Sequence, residues 1–165
     1  MNRCFNITGC CNPQEHYMVN LDHRLAQIKE MVDKGQYFCI NHGQQYGKTT
    51  ILKALQAYLK EEYAVIRIDF QFISTSEFAT ESVFVKALAR LLWSCYRREM
   101  PGEIEEQVKQ IKQSLNHTEV DLFTVLSRWC AVSSKPIVLM VDEADHPGNS
   151  QTFLDFLAQL RGRFL

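Results

Sequence analysis

Nowhere in the 165-residue chain do eighteen apolar residues run together, so the sequence offers no helix able to cross a bilayer. The opening MNRCFNITGCCNPQEH also lacks the apolar stretch of an export signal. A soluble, cytoplasmic protein with no membrane partner is expected. Charge of one sign is missing too: a net charge of −1 leaves no broad basic footprint for nucleic acid. Cysteine occurs at Cys4, Cys10, Cys11, Cys39, Cys95 and Cys130, but never in paired C-x-x-C spacing, and the adjacent Cys10 and Cys11 are poorly placed to share one zinc. The thiols read as reduced.

What is present is enough apolar material, 46% of the residues, for one ordinary domain. The chain is organised around Tyr37 to Leu55, YFCINHGQQYGKTTILKAL. A short apolar run, Tyr37 to Ile40, predicts a strand; a polar turn with Gly43 and Gly47 follows; Lys48-Thr49-Thr50 then opens a helical pattern. A triphosphate needs closely spaced backbone N–H donors, a helix N-terminus aimed at it and a cation that reaches along it. This order supplies all three. The candidate nucleotide-binding residues are Gly43, Gln44, Gln45, Tyr46, Gly47, Lys48, Thr49 and Thr50, with the Thr49 hydroxyl placed as a ligand for Mg2+. The match to G-x-x-x-x-G-K-S/T is imperfect, because His42 stands at the first glycine position and Gly43 comes one residue late. A helix that merely happens to begin Gly-Lys-Thr is the plain alternative.

A second stretch answers that alternative. Ile137 to Val141, IVLMV, is an unbroken apolar run of the kind buried on both faces of a parallel sheet, and it ends in Asp142-Glu143. Acids at the carboxyl end of such a strand sit where ligands bind. Asp142 is expected to hold Mg2+ through its water shell, and Glu143 to orient or deprotonate the water that attacks the terminal phosphate. Catalysis is therefore assigned to Glu143 and Lys48, and metal binding to Thr49 and Asp142.

The remaining chain fits around these two motifs. Leu21, Leu25, Ile28 and Met31/Val32 have helical spacing, closed by Gly35, after a turn-rich lead-in that need not be ordered. Ile51, Leu52, Leu55, Tyr58 and Leu59 form the inward stripe of the helix from Lys48. AVIRIDF, Ala64 to Phe70, predicts a strand. A long helix from Glu81 turns Val83, Phe84, Ala87, Leu88, Leu91, Leu92 and Cys95 inward, with Arg97 and Arg98 favoured at its end by the helix dipole. Beyond Pro101-Gly102, a half-exposed helix carries Ile104, Val108, Ile111 and Leu115, and another over 119–130 carries Leu122, Phe123, Val125, Leu126 and Trp129. His117, Trp129 and His146 read as structural or solvent-facing. Asn149 or Ser150 caps a last helix with Phe153, Phe156, Leu157, Leu160 and Phe164.

Taken together, YFCINHGQQYGKTTILKAL, AVIRIDFQFIS, IVLMVDEAD and FLDFLAQLRG resemble the AAA-like P-loop ATPases of bacteria and archaea, over roughly the whole chain. The resemblance implies ATP as ligand, Lys48 and Thr49 on the β/γ-phosphates and Mg2+, Asp142 completing the metal site and Glu143 as the catalytic acid residue. His42, and Gln44 where related loops often carry arginine, depart from the pattern. The fold expected is α/β, a three-layer P-loop NTPase with a mainly parallel sheet of three strands and helices on both faces. The lead-in and first helix would occupy 1–35 and the ATPase core 36–165. The family's sensor strand and arginine finger have no counterpart before Leu165, so the resemblance implies an N-terminal fragment whose hydrolysis is slow, and an α/β sheet incomplete at the C-terminus.

Three other readings are weighed against it. Asp142 to Asp145 spells the DEAD of RNA helicases, but the segments that accompany it in those enzymes are missing. A small-molecule kinase would want an arginine-rich lid, and none is visible. A nucleotide-dependent switch or scaffold that binds ATP with little turnover shares Lys48 and Thr49 with the ATPase and differs at Glu143. A protein partner or a second copy is compatible with any of these, and none is assigned. The stretch around His16 to Leu21 is the candidate surface for the base.

Overall fold

The computed structural model describes residues 3–6, 11–12, 14–41, 47–99, 126–127, 130–131, 133–146, 148 and 150–163. The expected helix at 104–115, His117, Trp129, Asn149 and Phe164 lie outside them, as do His42, Gly43, Gln44, Gln45 and Tyr46. The chain divides into two compact units, one over Met1–Glu61 and one over Glu62–Arg163.

In the first unit, α1 (Asp22–Asp33) begins where Asn20 accepts a hydrogen bond from the Asp22 N–H at 2.8 Å, and it buries Leu25 and Ile28. Its end is set by Gly35. With φ at +64° this residue reverses the chain, so that Gln36 donates to the Met31 carbonyl and Gly35 to that of Val32. Those two bonds satisfy carbonyls that the last helical turn would leave open. Lys29–Asp33 and Glu30–Lys34 ion pairs, each four residues apart, line the outer face. α2 (Lys48–Leu59) packs against α1 and buries Ile51, Leu55 and Leu59. Tyr58, expected inward, is exposed.

The lead-in is folded back on itself. Cys4 donates to the Glu15 carbonyl and Tyr17 to that of Cys4, pairing Cys4 with His16 in a short parallel bridge. The described cysteines are free thiols.

The second unit is α/β. β1 (Ala64–Asp69) and β2 (Ile137–Asp142) run parallel and in register, from Ala64 beside Ile137 to Asp69 beside Asp142. Parallel neighbours need a long crossover, and α3 (Glu81–Glu99) lies in it. Because side chains alternate along a strand, Ile66 and Ile68 share a face with Ile137, Leu139 and Val141. That face meets α3 and α4 (Gln151–Arg163) in one apolar cluster. Phe70 sits at its centre with no exposure, and its ring lies 5.3–6.3 Å from those of Phe78, Phe84, Phe153 and Phe156. Ring pairs at such separations add about 0.5–1.5 kcal/mol each beyond their burial.

β1 stops one residue earlier than AVIRIDF suggests. The Asp69 carboxylate accepts from the Gln71 N–H at 2.9 Å, and Phe70–Phe72 turns as a 3-10 helix. The Ser/Thr-rich segment that follows is held in place by Glu77, which accepts from the Ser74 N–H and, at 2.6 Å, from Arg90 on α3. α3 buries Val85 and Ala89 and leaves Val83 exposed, a rotation of the expected stripe by part of a turn.

One expectation is corrected here. Tyr37 to Ile40 forms no strand, and the described residues contain a two-stranded sheet rather than three strands. Tyr37 and Cys39 are exposed and Phe38 and Ile40 half-buried, so the run is solvated where a central strand would be covered on both faces. Apolar character favours a strand, but the ladder also requires a neighbour in register, and among the described residues no strand ladder or bridge includes 37–40.

Candidate functional site

The residues expected to act together fall in different units: Gly47, Lys48, Thr49 and Thr50 in the first, Asp142 and Glu143 in the second. Gly43, Gln44, Gln45 and Tyr46, the rest of the expected phosphate loop, lie outside the described residues.

In the first unit Gly47 is the N-cap of α2, in the left-handed region at φ +76° and ψ 25°. A side chain there would be strained, which explains glycine at this position. It also brings no capping oxygen, and among the described residues no side chain caps the helix. The first turn has no acid; its charged residue is Lys48, half-buried and without an ion pair among the described residues. N–H groups left open at a helix start, beside a cation, favour an anion. The Thr49 hydroxyl also has no partner among the described residues. Thr50 differs: its Oγ1 accepts from the backbone N–H of Cys11 at 3.3 Å, which fastens the lead-in to the first turn.

Next to that turn lies a cavity of about 260 Å³ lined by Cys11, Tyr17, Met18, Leu21, Arg24 and Thr50, among others. Its wall is mostly apolar, with one guanidinium. The stretch His16 to Leu21, singled out from the sequence, supplies four of the residues around it, Tyr17, Met18, Val19 and Leu21.

In the second unit Asp142 ends β2 and is the buried charged residue of the described chain, 5% exposed. Its Oδ1 accepts from the Glu143 N–H at 3.1 Å, and its Oδ2 lies 3.4 Å from Arg67 Nη2. Glu143, half-buried, has φ +51°, a conformation that costs a non-glycine residue about 1 kcal/mol or more. It begins a turn in which its carbonyl accepts from the His146 N–H; His146 itself is exposed. The strain thus falls on a glutamate just past a buried aspartate, at the exit of the strand.

Thr49 in the first unit and Asp142 in the second each offer a hard oxygen donor of the kind that suits Mg2+. Among the described residues no three His, Cys, Asp or Glu side chains group to hold a metal ion. No helix among the described residues is long and apolar enough to cross a membrane.

Arg67 and Asp69 were not singled out from the sequence, and the signal was available. An arginine within the apolar strand AVIRID demands a counter-charge once the strand is buried. Asp69, two residues on and on the same face, is the register partner of Asp142.

Residues 22–163 match the family described as Nephrocystin 3, N-terminal. The chain belongs to this family. That family is associated with NTPase-like proteins, which agrees with the resemblance in its coarser part, while a match to an AAA-like ATPase family is not shown. Neither a curated protein nor a solved structure matches the chain. The Nephrocystin 3 N-terminal match covers α1 to α4 and includes Lys48, Thr49, Asp142 and Glu143, whereas Cys11, Tyr17, Met18 and Leu21 of the cavity precede it.

Proposed function

We propose that this chain is a P-loop ATPase domain that binds ATP with Mg2+ at the start of α2. The observation that carries the reading is the N-terminus of α2, without a side-chain cap among the described residues, opened by Gly47 at positive φ and followed by Lys48 and Thr49 in Walker order. In the three-layer P-loop architecture, Gly47 lets the phosphates approach the backbone, Lys48 neutralises the β/γ-phosphates and the Thr49 hydroxyl faces the metal. Mg2+, when bound, spreads the charge that builds on the phosphates as the terminal bond breaks. Asp142 orients that cation's water shell. Glu143 aligns the attacking water and takes its proton. The cavity beside Thr50 receives the base, stacked on apolar walls.

Calorimetric titration of ATP with Mg2+ into the wild-type chain and into Lys48→Ala tests the reading. Binding in the first and its loss in the second supports it; no binding in the wild type overturns it. Glu143→Gln, which should stop turnover and leave binding intact, then separates the ATPase from a nucleotide-dependent switch that binds ATP with little turnover. The contact between Arg67 and Asp142 favours the switch reading to one degree, since it occupies the carboxylate that turnover needs.

A further inference from the structure

Within the first unit, the first turns of α1 and α2 both reach the cavity of about 260 Å³, α1 with Arg24 and α2 with Thr50 and Ile51. The lead-in completes its wall with Tyr17, Met18 and Val19. Sites for whole drug-sized ligands run to roughly 300–1,000 Å³, so this space suits one part of a ligand, a single ring system, and leaves the rest outside. Gly47 belongs to the same wall, so what stays outside begins at the N-terminus of α2.

Two features of the wall are left unanswered by the protein. Tyr17 is 55% exposed and Val19 82%, and the Tyr17 ring rests 5.0 Å from that of Phe5, itself exposed. Aromatic rings left in water beside an apolar cavity gain from being covered by a flat apolar face. Arg24 is exposed as well, and its guanidinium has neither a hydrogen bond nor an ion pair among the described residues. Arg67 and Arg90, by contrast, each face a carboxylate. A guanidinium is planar and weakly hydrated, so beside apolar side chains it stacks on an aromatic face better than an ammonium does.

We infer that the cavity takes the purine base of the nucleotide, that Tyr17 gives the base a ring to stack on, and that Arg24 supplies a cation to its π face and thereby sets a preference for purines over pyrimidines. The inference rests on the nucleotide reading above and concerns the part of that ligand which Lys48 and Thr49 do not touch. Stacking reads the face of a base and not its edge, so adenine and guanine are held alike, and a pyrimidine, with its smaller face, is held less well. Tyr17, Met18 and Val19 precede residues 22–163, so this part of the base wall lies outside the family match.

The test is calorimetric titration, with Mg2+ present, of ATP, GTP, CTP and inorganic tripolyphosphate, which has no base, into wild type, Arg24→Ala, Arg24→Lys, Tyr17→Leu and Lys48→Ala. Arg24→Ala should weaken ATP and GTP alike by about 5- to 30-fold and leave tripolyphosphate unchanged. Arg24→Lys keeps the charge but gives up the plane, and should recover only part of the loss. Tyr17→Leu keeps an apolar side chain without the ring, and should weaken both purine nucleotides about 5-fold or more while sparing tripolyphosphate. Full recovery in Arg24→Lys, a loss confined to one of the two purines, or tripolyphosphate weakened in step with ATP overturns the inference, the last because it places Arg24 on the phosphates. If Tyr17→Leu disturbs the lead-in, the two Arg24 variants decide the matter, since that side chain stands on the surface with no partner to lose. Wild type that binds none of the four ligands overturns the nucleotide reading and this inference together. Wild type that binds tripolyphosphate as tightly as ATP, with both lost in Lys48→Ala, overturns this inference alone.

Discussion

The unit around β1 and β2 keeps most of its large apolar side chains inside, with Phe72, Val83 and Leu154 exposed, while the unit around α1 and α2 leaves as many of its own exposed as buried. Phe70, Phe78, Phe84, Phe153 and Phe156 are all buried, ring against ring. In the first unit Phe5, Tyr17, Val19, Tyr37 and Tyr58 are exposed, and the buried apolar residues are few, chiefly Leu25, Ile28, Ile51, Leu55 and Leu59. The difference separates two tasks. A densely packed sheet unit can hold a buried aspartate and a strained glutamate in place, because displacing either would disturb the packed strands beneath them. The helical unit instead presents a helix start, a cavity and an apolar surface, where the ligand proposed above would bind.

The largest expected effect tests whether the sheet unit carries the stability. Phe70→Ala should cost about 3–5 kcal/mol in urea unfolding, while Leu55→Ala in the first unit should cost nearer the lower end of the roughly 2–5 kcal/mol range for such truncations. Equal losses would erase the contrast between the units. Next comes Lys48→Ala, expected to weaken ATP–Mg2+ binding by about 10- to 100-fold, the worth of a charge-assisted contact, with stability changed by no more than about 0.5 kcal/mol. A large loss of stability instead would make Lys48 a structural residue of α2.

Glu143→Gly sharpens the contrast in the opposite direction. Glycine accepts φ +51° without strain, so the variant should gain about 0.5–1 kcal/mol in unfolding stability while losing turnover. A loss of stability would mean that the glutamate side chain holds the strand exit together. The smallest effect concerns Glu77. Its carboxyl is held below the ordinary carboxylate range by the hydrogen bond from Arg90, then by that from the Ser74 backbone. A lowered folded-state pKa means the stabilisation is fully present above the unfolded value near 4.5 and is lost as pH falls through the lower folded value. Urea midpoints of wild type and Glu77→Gln should therefore differ at pH 7 and converge as the solution is acidified below pH 4.5. A difference that persists in acid would show that the hydrogen-bond geometry, not the charge, is what Glu77 supplies.

Much of the local structure could be read along the chain because its causes are local. Gly35 ends α1 through its positive φ, the Leu25/Ile28 and Leu55/Leu59 spacings set helix faces, and IVLMVD announces a strand, although only Met140 and Asp142 of it are fully buried. The open start of α2 was legible for the same reason: Gly47 and Lys48 act through their own backbone and charge. The strand expected at Tyr37 to Ile40 failed because a strand is a relation between segments, and apolar content says nothing of the neighbour it needs. Val83 and Tyr58 were misplaced on their helices by small rotations that only the packing partners select. The lead-in, unremarkable as a string of turn residues, is fixed by a bond from Cys11 to a threonine thirty-nine residues away.

The chain by itself therefore determined the helix and the strand whose ends bear Lys48, Thr49, Asp142 and Glu143, because motif spacing and periodicity are properties of neighbouring residues. Tertiary structure alone decided that Asp142 is buried and that Arg67 answers its charge. A parallel register between strands nearly seventy residues apart brought that pair together, and burial made the pairing necessary.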